Sequence, residues 1–123
     1  FGIKINFMYT YYGNKSIFIL DTGFGNGAFG VRAYNELNIS ELIVCDPSKN
    51  MLSEARTKLK DKEILFRNIS SQQLDYTEQF DLVTAIQSHH YVDCDLHATA
   101  VMNCYKALKK GGMFKFSYMP SGY

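Results

Sequence analysis

Between residues 21 and 30 the chain reads Asp21-Thr-Gly23-Phe-Gly25-Asn-Gly27-Ala-Phe-Gly30, four glycines behind a single acid. Glycines gather where the backbone needs positive φ or where a ligand must approach the main chain with no Cβ in the way. A plain tight turn would account for one or two of them. A second acid, Asp46, stands 21 residues after Gly25. At about that spacing a carboxylate accepts hydrogen bonds from both hydroxyls of an adenosine ribose. Taken alone, Asp46 is also a natural helix N-cap ahead of Pro47. Loop and acid together predict a nucleoside site.

The glycines fit two patterns. Gly25-Asn-Gly27-Ala-Phe-Gly30 satisfies G-x-G-x-x-G, the dinucleotide fingerprint, and Asp21-Thr-Gly23-Phe-Gly25-Asn-Gly27 satisfies D-x-G-x-G-x-G. A carboxylate at Asp21 would repel a pyrophosphate, which wants unopposed N–H groups and a helix N-terminus. The second pattern resembles motif I of the class I S-adenosylmethionine-dependent methyltransferases. Their cofactor has no phosphate and carries a sulfonium and an ammonium, both suited by a nearby acid.

The resemblance extends along most of the chain. Asp46-Pro47-Ser-Lys-Asn-Met51-Leu is similar to the post-I motif, in which an acid ends strand two and a Met or Leu packs beside ribose and adenine. Phe66-Arg-Asn68-Ile69 falls where the family has an Asp that accepts from the adenine amino group, followed by a residue whose backbone N–H reaches the ring. Here Asn68 replaces the acid, and its carboxamide oxygen can still accept that bond. Phe80-Asp-Leu-Val-Thr-Ala-Ile-Gln87-Ser-His89-His90 resembles motif IV. Leu108-Lys-Lys-Gly-Gly-Met resembles the L-K-P-G-G turn into strand five, with Lys110 where proline is common.

The resemblance implies that Gly23, Gly25 and Gly27, with Asp21, line the methionine and ribose. By the same analogy Asp46, Pro47 and Met51 border the ribose, Asn68 and Ile69 read adenine, and Gln87 lies near the methionine portion. It also implies in-line methyl transfer, for which positioning and water exclusion can suffice without a dedicated base. His89 and His90 sit where an acceptor, a base or a metal ligand could be met, although walling the pocket is the commoner role for such a pair. Phe7, Tyr9, Tyr11 and Tyr12 could cap an apolar acceptor or simply join a core.

Elements must hold these residues in place. Short β-branched or aromatic runs, Ser16–Asp21, Glu41–Asp46, Glu63–Arg67, Asp81–Ile86 and Gly112–Tyr118, alternate with helical patterns over 27–37, 47–59 and 95–109. Pro47 suits a first helical position, and Gly111-Gly112 a helix stop. Near-continuous apolar strands between helices predict an α/β fold with a doubly wound, mostly parallel sheet. The resemblance adds the Rossmann-like order 3-2-1-4-5, with strands six and seven absent from this chain. Residues 1–12 fit a strand or a helix face, with Gly13-Asn14 as the turn that follows.

Composition narrows the function. At 123 residues the chain has room for one domain, and its hydrophobic content of 46% argues against disorder. Thirteen basic and twelve acidic residues leave a net charge of +1, which gives no reason to expect nucleic acid. Neither an N/D-P-P-Y loop nor a Pro-Cys nucleophile occurs, so the acceptor is expected to be a small molecule. Cys45, Cys94 and Cys104 show no C-x-x-C spacing, which argues against zinc and fits free thiols in the cytoplasm. No run approaches the roughly 18 apolar residues of a membrane span. The chain opens on Phe1 and closes just after Pro120-Ser121, and we expect a single methyltransferase domain over 1–123, cut from something longer. Strand five then becomes an apolar edge, expected to pair in a homodimer or to be covered. Two rival readings remain open, an NAD(P)-dependent oxidoreductase domain and a non-catalytic cofactor-binding remnant.

Overall fold

The computed structural model describes residues 15–22, 32, 34–60, 63–85 and 94–116. In chain order the elements are β1 (Ile17–Thr22), β2 (Ile39–Cys45), helix α1 (Lys49–Lys58), β3 (Leu65–Arg67), a 3-10 turn (Ser71–Gln73), β4 (Phe80–Ala85), helix α2 (Cys94–Ala107) and β5 (Leu108–Phe116). The five strands form one sheet in the order β3-β2-β1-β4-β5, and every pairing is parallel. This is the sheet order expected from the resemblance. Arg32 and residues 34–36 are helical, and Arg32 pairs with Glu36 one turn on. The remainder of the helix expected over 27–37, and residues 1–12, lie outside the described residues.

Burial on both faces explains the apolar strands. One face packs Ile17, Ile19, Leu42, Val44 and Leu82 against Leu52, Ala55 and Leu59 from α1 and its end. The other packs Leu20, Ile43, Cys45, Phe80 and Val83 against Cys104 and Ala107 of α2. With no water on either side, parallel strands of this kind read as continuous apolar runs. The exceptions are informative. Asp21, Thr22, Asp46 and Thr84 are polar and buried, and all four lie at the carboxyl ends of their strands.

Two expectations change. Helix α1 does not begin at Pro47, and Asp46 does not cap it. Ser48 is the N-cap, in extended conformation, and its side chain accepts from the Met51 N–H. The Asp46 carboxylate instead takes the N–H of Ser48 at 2.8 Å, which closes a short turn and leaves the serine hydroxyl for the helix.

Strand five begins at Leu108, not Gly112, so Lys109 to Gly112 belong to the strand and do not form a separate turn. The pairing steps from Phe80–Leu108 to Leu82–Met113, so β5 bulges outward between the two bridges. Gly111 supplies the positive φ (84°) that the bulge requires. α2 stops at Ala107 because the N–H groups of Glu78 and Gln79 donate to Lys106 O and Ala107 O, at 2.8 and 2.9 Å.

At its start β1 is fixed to β4 by Asp81. Its Oδ2 accepts the Phe18 N–H at 2.9 Å and the Lys109 ammonium at 3.3 Å, and that ammonium also lies 4.4 Å from the Phe18 ring centroid.

Candidate functional site

Register brings the site together. Asp21 on β1 lies opposite Val44 on β2 and opposite Thr84 on β4. Asp46 follows two residues after Val44, so both acids and Thr84 belong to the same face at the strands' carboxyl ends. Ligands of doubly wound sheets bind at that end.

Asp21 is 2% exposed. Its Oδ1 accepts from the Thr84 hydroxyl at 2.9 Å, and its Oδ2 is buried with no partner among the described residues. Asp46, also 2% exposed, uses Oδ1 for the Ser48 N–H and likewise leaves Oδ2 buried without a partner. Buried carboxylate oxygens are rarely left unsatisfied, because the desolvation cost goes uncompensated. Two side by side, at the ligand end of the sheet, mark a place where a donor or a cation belongs.

Burial dominates the Asp21 carboxyl and pushes it up to about 7; the Thr84 hydrogen bond opposes this and the charge of Asp46 reinforces it. Cys45 lies one residue before Asp46, and burial pushes its thiol up to about 12, so it is no nucleophile at neutral pH. Burial does the same to Cys104.

Asn68 follows β3 directly. Its Nδ2 donates to Asp46 O and Pro47 O, both at 3.0 Å, which ties the end of β3 to the turn after β2. Carbonyl oxygens only accept, so the amide nitrogen must face them and Oδ1 is left as the outward acceptor. Asn68 is exposed and Ile69 half-buried, with Ile69 packed against the α2-side core. Pro47 is exposed and Met51 half-buried on the first turn of α1. The structure thus gathers Asp21, Asp46, Pro47, Met51, Asn68 and Ile69 around the ends of β1, β2 and β3. Gly23, Gly25, Gly27, Gln87, His89 and His90 lie outside the described residues.

The sequence reading missed four supporting residues. Thr84 orients Asp21. Thr22 and Ser71 share a buried hydroxyl contact of 2.7 Å, and Asn103 of α2 donates to Ser71 O and Gln72 O, at 3.1 and 3.0 Å. The turn that follows Asn68 and Ile69 is therefore held by both β1 and α2. The available signal was polarity, since Thr22 and Thr84 end runs that are otherwise apolar.

Among the described residues no group of three or more His, Cys, Asp or Glu could hold a metal ion. A depression of about 550 Å³ lined by Glu78, Tyr105, Lys106 and Phe114 lies at the amino-terminal end of β4, away from these acids.

Residues 19–112 match a family described as a methyltransferase domain. The chain belongs to that family. The match runs from β1 into β5 and so takes in both acids and Asn68. Several solved methyltransferases share the fold of this domain. The N-methyltransferase NodS from Bradyrhizobium japonicum superposes with a TM-score of 0.79 at 22% identity, over 93% of this chain and 64% of its own. An S-adenosylmethionine-dependent methyltransferase from Mesorhizobium loti gives 0.74 at 28% identity, over 93% and 51%. Another from Clostridium acetobutylicum gives 0.77 at 22% identity, over 91% and 46%. The methyltransferase domain described here thus spans about half the length of most of these proteins. No curated protein matches it by sequence.

Proposed function

We propose that this methyltransferase domain binds S-adenosylmethionine across the carboxyl ends of β1, β2 and β3 and serves methyl transfer to a small-molecule acceptor. The observation that carries the reading is the pair of buried oxygens, Asp21 Oδ2 and Asp46 Oδ2, that have no partner among the described residues. Both are acceptors with negative character, and S-adenosylmethionine offers ribose hydroxyls, an adenine amino group, an ammonium and a sulfonium. Donor and acceptor sets therefore fit.

In this reading Asp46 accepts from the ribose hydroxyls, with Pro47 and Met51 beside the sugar. The Oδ1 of Asn68 accepts from the adenine amino group, and the main chain at Ile69 borders the ring. Asp21 faces the cationic portion, together with Gly23, Gly25, Gly27 and Gln87. His89 and His90 are assigned to the acceptor side. Bound there, S-adenosylmethionine supplies a methyl group activated by its sulfonium for in-line displacement by the acceptor. What the protein's own residues contribute is a fixed cofactor orientation and a dry site, and neither requires a general base. The printed descriptions of the Mesorhizobium and Clostridium proteins as S-adenosylmethionine-dependent support the cofactor.

The acceptor class rests on the nearly balanced charge and on the absence of amide-, adenine- or cytosine-directed motifs. No described helix is long and apolar enough to cross a membrane. The cytoplasmic location in this reading rests on the cysteine usage, with Cys45 and Cys104 both free thiols. A homodimer formed through the outer edge of β5 completes the reading.

Titration calorimetry on the full-length protein tests it. S-adenosylmethionine should bind, and Asp46→Ala should weaken binding about 10- to 100-fold, as expected when one charged acceptor is lost. Binding of NADH without S-adenosylmethionine would favour the oxidoreductase reading. Cofactor binding with no methylation across a broad acceptor panel would favour a non-catalytic remnant.

A further inference from the structure

The two acids, each with one buried oxygen that has no partner among the described residues, have a second property, which rests on the cofactor reading above. Asp21 and Asp46 are both 2% exposed, on adjacent strands and on the same face. None of the ion pairs among the described residues reaches either of them; these join Arg32 to Glu36, Arg67 to Asp75 and Lys109 to Asp81. Two neighbouring buried carboxylates without a cation do not both stay ionised, because desolvation and mutual repulsion act in the same direction.

The surroundings favour Asp21 as the proton carrier. Asp46 accepts a peptide N–H at the entrance to α1. Among the described residues the Asp21 side chain has one partner, the Thr84 hydroxyl. A hydroxyl can donate to a carboxylate or, after rotating, accept from a carboxylic acid, so Thr84 serves either state without any main-chain movement. Among the described residues, the other groups nearby form no ion pair with Asp21. The Cys45 thiol is held neutral by burial, and the Arg67 guanidinium is turned to Tyr76 and Asp75 beyond β3. The Asp21 carboxyl, raised to about 7 by burial first and by Asp46 in addition, agrees with the geometry.

We propose that Asp21 carries a proton in the cofactor-free protein and releases it when the cationic cofactor binds, so that cofactor affinity is coupled to pH through the Asp21–Thr84 pair. The step is acid–base only. The carboxyl O–H bond breaks, the proton passes to solvent or buffer, and the positive charge of the cofactor takes its place beside the carboxylate.

Calorimetry on the full-length protein, in two buffers of different ionisation heat, measures the exchange. Near pH 6 about one proton should leave per S-adenosylmethionine bound, and by about pH 8.5 none. Affinity should fall about tenfold for each pH unit below the Asp21 midpoint and level off above it. An imidazole ordinarily titrates in the same range, so Asp21→Asn separates the sources by abolishing the release if Asp21, and not a histidine, is the carrier. In the unsubstituted protein, side-chain carboxyl NMR should show one aspartate titrating near neutrality without cofactor and ionised with it at the same pH.

S-adenosylhomocysteine keeps the ammonium and lacks the sulfonium charge. Equal release with both ligands would identify the ammonium as the incoming charge, and release with S-adenosylmethionine alone the sulfonium. PH-independent binding without proton release, or release that survives in Asp21→Asn, would overturn the proposal and leave the cofactor reading intact. No binding of S-adenosylmethionine at any pH would defeat both.

Discussion

The side-chain amide of Asn68 donates twice, to Asp46 O and Pro47 O, and a carboxylate at this position could do neither. An acid here would face two carbonyl oxygens with no proton to share. Asn68→Asp, although it restores the residue type the family pattern favours, should therefore loosen the tie between the ends of β2 and β3. We expect a loss of about 1 to 3 kcal/mol in urea denaturation at neutral pH, largest where the new acid is ionised. Unchanged stability would mean that the two hydrogen bonds do not select the amide. At this scale the sequence singles out Asp21, Asp46 and Asn68 as candidates, because each offers one recognisable partner chemistry. Thr84 stayed hidden because its role depends on register: nothing in the run Asp81-Leu-Val-Thr84 says that it will stand opposite Asp21.

Elements were legible where apolar periodicity decides them and less so where turn chemistry does. β1, β2 and β4 appear within a residue or two of their sequence limits, because continuous burial leaves little freedom. The start of α1 was ambiguous, since Asp46, Pro47 and Ser48 can each open a helix. The choice fell to Ser48 once Asp46 was committed to the turn. Gly111-Gly112 has the form of a helix stop, yet it serves the bulge in β5, and its two glycines serve it differently. A Cβ on Gly112 would come within 2.9 Å of Leu108 Cδ2, 3.0 Å of Lys109 O and 3.1 Å of Asp81 O. Two of these neighbours are main-chain atoms that cannot rotate away. Gly111 has open space but a φ of 84°. Gly112→Ala should then cost about 1 to 3 kcal/mol through overpacking, and Gly111→Ala about 1 kcal/mol through backbone strain. Thermal unfolding of the two variants, compared side by side, would show the opposite order if the bulge simply shifts to accept the methyl group.

At the scale of the whole molecule the sheet order could be anticipated from the motif series, but its consequence for the surface needed the structure. Among the described strands β5 is the outermost, after β4, and α2 beside it exposes Tyr105 at 58% and Met102 at 67%. The Tyr105 ring also stands edge-on to Phe114 of β5, with centroids 5.3 Å apart, so strand edge and helix face form one apolar surface. Unpaired strand edges flanked by apolar side chains recruit other strands, because the main-chain groups and the apolar area are satisfied together. The 123-residue chain alone, 14.1 kDa as a monomer, should therefore sediment as a dimer at concentrations of about 100 μM. Tyr105→Lys combined with Met102→Lys removes the apolar flank and adds charge beside Lys106 and Lys110. Each exposed side chain of this size contributes on the order of 1 kcal/mol when covered. The double variant should then weaken association about 10- to 100-fold and return the monomer. A parent chain that is monomeric at that concentration would count against the homodimer. A dimer insensitive to the two lysines would place the contact on another surface.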